Sequence, residues 1–357
     1  MLKTDWLKAG MGLLAVLGLL LVGGYQGQAA SQNAATSGRV SFSVAPQLPA
    51  NQRDGNRSFF DLTMRMGTTQ RLSATIYNHS DRDIRVTTAI HTASTNQNGT
   101  IEYVQAPTTY DPSLKYRLDA TTKLTGPATV TVPANGNKVV SAIVRLPAGA
   151  FHGVMLGGWY FQLVDQKATG TVAGATNVKN QYSYVIAMRY TVGQVPTPRL
   201  ELADVKPGLL NAHHGIFPRV RNVQPAMLMG LDVQTKVTRK SDGQSMRADR
   251  KTGVQFAPNS AFRYPLLAGS TPLAAGEYHL HMIVKNRAHR WVFDRDFTVS
   301  ARDAHHYNQQ SVDPLPKSPW YLLLVGAAGM FVIMLIVWWL VAWRRKHRAA
   351  TEDQTND

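Results

Sequence analysis

In Tyr278-His279-Leu280-His281-Met282-Ile283-Val284, every second residue from Tyr278 to Val284 is apolar. Successive side chains of an extended chain point to opposite faces, so this run reads as a half-buried β-strand with its histidines on the polar side. The same period recurs outward from it. Leu231, Val233, Thr235 and Val237 form one face, as do Val140, Ala142, Val144 and Leu146. Ile84, Val86, Thr88 and Ile90 repeat the pattern, and so do Leu72, Ala74 and Ile76. Asn98-Gly99 and Asn135-Gly136 fall between such runs and read as tight hairpin turns, since Asn and Gly tolerate positive φ. No long amphipathic helix interrupts the strands between Val40 and Ser300. Short strands separated by turns, without helices between them, predict an all-β chain of tandem immunoglobulin-like sandwiches.

The two ends follow different rules. Trp320 to Trp343 is apolar and uncharged, and Arg344, Arg345, Lys346, His347 and Arg348 follow at once. About 20 apolar residues span a bilayer as a helix, aromatic residues suit its interfaces, and the basic cluster marks the cytoplasmic side. At the other end, Lys3 and Lys8 precede the apolar stretch Ala9 to Gly24, and small residues follow, as in a secretory signal. Cleavage after Ala29 places Gly27 and Ala29 at the two small-residue positions. An uncleaved first span is the alternative. The organisation expected is a signal peptide (1–29), a first sandwich (39–193), a second sandwich (199–303), an extended stem (304–319), a transmembrane helix (320–343) and a cytoplasmic tail (344–357). The Gly157–Val164 and Tyr182–Val192 runs are both rich in β-formers and read as a hairpin across a long polar loop. The boundary between sandwiches then falls at Gln194-Val195-Pro196-Thr197-Pro198, where two prolines break strand pairing. A cut inside the loop near Lys167 is the other reading.

Composition narrows the chemistry. The chain has 357 residues and no cysteine, which removes thiol catalysis, thiolate metal sites and disulfides. The formal net charge is +16, nearly all of it on the outer portion. Such a surface is drawn to polyanions, such as wall polymers and anionic lipids. No basic stripe interleaved with stacking aromatics occurs, so no nucleic-acid partner is expected. His279 and His281 share a strand face, and His213-His214 and His305-His306 are adjacent pairs, but no Asp or Glu stands at a recognisable ligand spacing. Solvated histidines, no metal and no cofactor are expected. Asp61, Glu102, Asp111 and Asp119 are the carboxylates from which a glycosidase pair would be drawn, yet nothing in the sequence makes two of them converge. The ring cluster Gly157-Gly158-Trp159-Tyr160-Phe161 suits sugar stacking or core packing, and alternation lets only one of Trp159 and Tyr160 face inward.

These segments resemble a known family. Phe42-Ser43-Val44, Leu48-Pro49-Ala50-Asn51-Gln52 and Phe59-Phe60-Asp61-Leu62 are similar to the opening of the WxL-interacting proteins of Gram-positive bacteria. The likeness continues through Ala93 to Gly99, Glu102-Tyr103, Asp111 to Tyr116 and Phe151 to Gly158. It ends in the second domain with Ala257 to Phe262 and Ala275 to Tyr278. The resemblance implies a non-catalytic surface protein whose first domain binds peptidoglycan and whose second binds host or matrix components. Both would act with a secreted protein carrying a Trp-x-Leu motif. Amides and rings suit amide- and sugar-rich ligands, so Asn51, Asn96, Asn98, Trp159 and Tyr160 are the candidate binding residues. The rivals are a wall-active glycan hydrolase and a purely structural tether for a protein partner.

Overall fold

The computed structural model describes residues 41–164, 182–313 and 320–352. The segments expected as signal peptide (1–29) and polar loop (165–181), residues 30–40 and 314–319, and the end of the expected tail lie outside the described residues. The chain folds as two tandem β-sandwiches, immunoglobulin-like in their face-to-face sheets, as the alternation predicts.

In the first sandwich, one sheet orders the strands Phe42–Gln47, Thr69–Asn78, Asn137–Arg145 and Thr122–Leu124. The facing sheet orders Phe60–Met64, Ser183–Val192, Gly153–Leu163, Ile84–Thr92 and Thr129–Val132. Pairing is antiparallel except that Phe60–Met64 runs parallel to Ser183–Val192. Gly153–Leu163 and Ser183–Val192 are direct neighbours in register, Trp159 opposite Ile186. The second sandwich packs a sheet of Leu200–Leu210, His213–Asn222 and Ser260–Arg263 on one of Ser245–Phe256, Leu228–Arg239, Gly276–Lys285 and Arg290–Val299. Its core takes Leu231, Val233, Val237, Tyr278, Leu280, Met282 and Val284, the inward sets read from the sequence.

Three expectations are corrected. Asn135-Gly136 does turn the chain, with Asn135 at φ 51°, but it carries the chain from one sheet of the first sandwich to the other and closes no hairpin. The extended stem is not what the chain builds at its start. Ala301–Gln310 is a helix capped by Ser300, whose hydroxyl accepts from the Asp303 amide at 3.0 Å. Ala304 and Tyr307 pack on the second core from one face, a contact too small to leave a clear helical period in a polar segment. The adjacent histidines His213 and His214 are not both solvated. His214 is fully buried; its Nε2 donates to the Thr271 carbonyl at 2.8 Å, and its Nδ1 meets the Ser311 hydroxyl. His213 Nδ1 lies 2.7 Å from Asp313. Both engage the chain leaving the helix because that chain folds back on the left-handed Asn211-Ala212 turn, where the Val312 amide donates to the Ala212 carbonyl. His279 and His281 do face solvent, as expected, and the neighbouring strand brings Asp296 and Asp294 opposite them.

The helix Trp320–Glu352 contains a 22-residue apolar segment, Leu322–Trp343, of mean hydropathy 2.5. It is long and apolar enough to cross a membrane. Its side chains lie outside both cores, with Leu323 at 77% exposure, so it is no core helix.

Candidate functional site

The two sandwiches meet at a seam that the first sandwich's loops build. A small hairpin, Ser94–Thr95 paired with Ile101–Glu102, reaches across to the second sandwich. Gly99 at its turn has φ 68°, which a residue with a side chain rarely adopts. A Cβ there would also stand 3.2 Å from Val254, and the Gly99 carbonyl accepts from the Gln255 amide at 2.7 Å. Thr95 accepts from the Ala257 amide at 3.0 Å and donates to Ser260, whose hydroxyl donates to the Ala257 carbonyl. Ala93, Val154, Leu156 and Ala257 form a small apolar cluster shared by the two halves.

The strongest polar contact of the seam is bidentate. Arg221 donates to both oxygens of Asp111, at 2.7 and 2.8 Å, and also reaches Glu201 at 3.3 Å. The Asp111 carboxylate also accepts from the amide and hydroxyl of Ser113. Burial alone would raise its pKa, but the Arg221 and Ser113 hydrogen bonds outweigh that and pull it down to about 2. Asn259 closes the seam by donating from its amide to the Ser113 hydroxyl and the Val223 carbonyl.

Beside this weld the surfaces part into a cleft of about 880 Å³. One wall is Asn96, Gln97, Asn98 and the 105–110 loop with Tyr110; the other is Asn211, Arg219, Phe262 and Arg263. The cleft is rich in amides, the equipment for ligands that carry amides and hydroxyls themselves. A smaller apolar notch of about 290 Å³ adjoins it and shares Gln97, Leu210 and Arg263.

The five residues singled out in the sequence do not form one site. Asn96 and Asn98 line the cleft, although the Asn96 carbonyl is spent on its own turn, accepting from the Asn98 and Thr100 amides. Asn51 lies elsewhere, in reciprocal hydrogen bonds with Gln70. Trp159 is wholly buried, stacked between Phe60 and Phe161 with its indole N–H donated to Thr88, so no face of the ring meets an external ligand. Tyr160 points the other way, as alternation requires, and lies half-buried against His91 on the outer face of its sheet. Three of the four carboxylates considered for hydrolysis are committed to ion pairs: Asp61 to Arg189, Asp111 to Arg221 and Asp119 to Arg117. Glu102 lines the cleft and accepts from the Val104 amide at 2.7 Å. Among the described residues no group of three or more histidines and carboxylates is placed to hold a metal ion.

Arg219, Arg263 and Tyr110 are not among the residues that the sequence marks as binding candidates. Arg219 and Arg221 occupy alternate positions of one strand, a spacing that puts both on its outer face. Nothing in the sequence says that a loop of the first sandwich arrives there.

Two sandwiches welded across a seam, a polar cleft beside the weld and an apolar helix beyond describe a two-domain binding protein of the cell surface. The chain belongs to the WxL-interacting protein family. The model for the WxL Interacting Protein peptidoglycan binding domain matches residues 42–163, and that for the WxL Interacting Protein host binding domain matches residues 174–309. The second match takes in Ser183–Val192, which pairs in the first sandwich. Among solved structures the chain is similar to the class 5 fimbriae chaperone CfaA, with a TM-score of 0.29 and 11% identity over 71% of this chain and 98% of that one. It is also similar to the E. coli chaperone DraB, with a TM-score of 0.26 and 15% identity over 72% and 98% of the two chains. No curated protein matches it.

Proposed function

We propose that this is a non-catalytic, single-pass surface protein that binds peptidoglycan and a secreted WxL-type partner, and through them supports adhesion to host or matrix. The observation that carries the reading is the succession of two binding-domain matches followed closely by an apolar helix. The basic cluster after Trp343 favours an outer amino end and an inner tail.

The helix Ala301–Gln310 shortens the reach expected of a free stem. With Asp313 held by His213, only residues 314–319 separate the second sandwich from Trp320. At about 3.3–3.6 Å per residue that chain reaches roughly 25 Å at most. Both sandwiches are then kept deep in the wall, and a secreted partner carries adhesion outward.

The test is sedimentation of the full chain, in detergent, with isolated cell walls. Retention at moderate salt is expected. No retention would overturn the wall-binding reading, and retention that salt alone abolishes would reduce it to attraction between a basic protein and a polyanion.

A further inference from the structure

The groove at the seam has a floor as well as walls. His213–Asn222 turns Ile216 and Val220 into the second core, so Phe217 and Arg219 point to the opposite face of the sheet. The neighbouring strands add Lys206 and Asp204 opposite Phe217 and Arg219, and Arg263 on the other side of Arg219. Asp204 is occupied by Arg263 at 2.8 Å. Arg219 is half-buried, lines the cleft, and has neither hydrogen bond nor ion pair among the described residues. A guanidinium withdrawn from water without a carboxylate is costly, and its planar fork is shaped for one.

Along the same floor, the groove runs into the notch formed by Pro207, Leu209, Leu210, Phe217 and Tyr307, with Lys206 and Arg263 at its rim. The site therefore pairs a carboxylate anchor with an apolar socket large enough for an aliphatic or aromatic side chain. That pairing selects among ligands. Wall stem peptides offer carboxylates, but their side chains are small or polar and would leave the socket unfilled. A protein segment with Asp or Glu near a large apolar residue fills both.

We infer that this groove binds an extended, acidic segment of a partner protein, with Arg219 receiving its carboxylate and the notch its apolar side chain. The inference deepens the partner-binding half of the proposed function and rests on that reading; it is independent of wall binding. Gln97, Asn98 and Asn211 supply the amides that an extended backbone requires.

The experiment pans the full chain, in lipid nanodiscs, against a phage-displayed library of random twelve-residue peptides. Recovered peptides should carry Asp or Glu within a few positions of Leu, Ile, Phe or Trp. Their affinities, read by fluorescence anisotropy, should fall at least tenfold in Arg219→Gln and also in Leu209→Asp. Arg219→Gln should melt like the parent protein, because Arg219 makes no hydrogen bond or ion pair among the described residues. No enrichment, peptides without a carboxylate, or peptides indifferent to Arg219→Gln would overturn the inference. Soluble wall muropeptides that bind in its place and are lost in Arg219→Gln would overturn it as well, by giving the groove to the wall. Wall sedimentation separates the two readings: peptide binding without wall retention sinks only the wall reading, and wall retention without peptide binding sinks only this one.

Discussion

The seam between the sandwiches and the outer face of the second sandwich use the same chemistry to different ends. At the seam, the Asp111 side chain is fully shielded and meets an Arg221 that is 23% exposed. On the outer face, His279 lies between Asp294 and Asp296 with all three side chains well exposed. Water decides the difference. Where it is excluded, a carboxylate left alone is expensive, so the pair enforces one docking of the two domains. Where water is present it screens and replaces each contact, and the pair only tunes a titration. Buried, the motif specifies shape; exposed, it reports pH.

The largest effect should come from breaking the buried pair. Asp111→Ala leaves Arg221 only its longer contact to Glu201 and removes the anchor of the Ser113 turn, and should cost about 3 kcal/mol in urea unfolding. If the weld is what couples the sandwiches, the variant should also unfold in two separated transitions where the parent shows one. Acid should mimic the substitution. A carboxyl whose folded pKa is lowered to about 2 contributes stability that is complete above its unfolded value near 3.9. That contribution fades as pH falls from about 4 through about 2. A flat profile across that window would mean that the weld is not an ion pair in solution.

Gly153→Ala should follow closely, at about 1–3 kcal/mol. Gly153 sits at φ 135°, and a Cβ there would stand 2.5 Å from the Pro225 carbonyl oxygen across the seam. Paired cysteines or spin labels placed across the seam should then report a wider separation, while each sandwich keeps its own near-ultraviolet signature. Thr95→Val comes next, at about 1–2 kcal/mol, because the Ala257 amide loses its buried acceptor. If these two variants leave stability unchanged, the seam is a contact of convenience.

How much of this was legible follows from what repeats. Period two placed the strands, and it correctly sent Tyr278, Leu280 and Met282 inward and His279 and His281 outward, because one buried face constrains every second residue. The Asn98-Gly99 turn was legible for the same local reason. The seam was not, since Asp111 and Arg221 are far apart in sequence and neither breaks a pattern. Alternation said that one of Trp159 and Tyr160 must face the core without saying which, and the binding role expected of Trp159 ended there. The helix Ala301–Gln310 was missed because only Ala304 and Tyr307 need the core. His214 was misread because what buries it arrives from Thr271 and Ser311, beyond the reach of any local rule.

The smallest effect belongs to the exposed face and is the sharpest test of the contrast. The pKa of His279 is raised, first by its hydrogen bond to Asp296, against an opposing effect of burial, and further by Asp294. Asp296 is itself held low by Lys240 and His279, and His281 shares Asp294. The imidazolium is therefore favoured in the folded protein. Its contribution to stability should be complete below the unfolded value near pH 6.5 and should disappear as pH rises through the raised folded value. An NMR titration should place the His279 midpoint above 6.5, and Asp296→Asn should move it down without detectable unfolding. Added salt should lower that midpoint too, because these charges face water, while the acid transition of the seam should resist the same salt. If salt moves both equally, the distinction between a welding pair and a tuning pair fails.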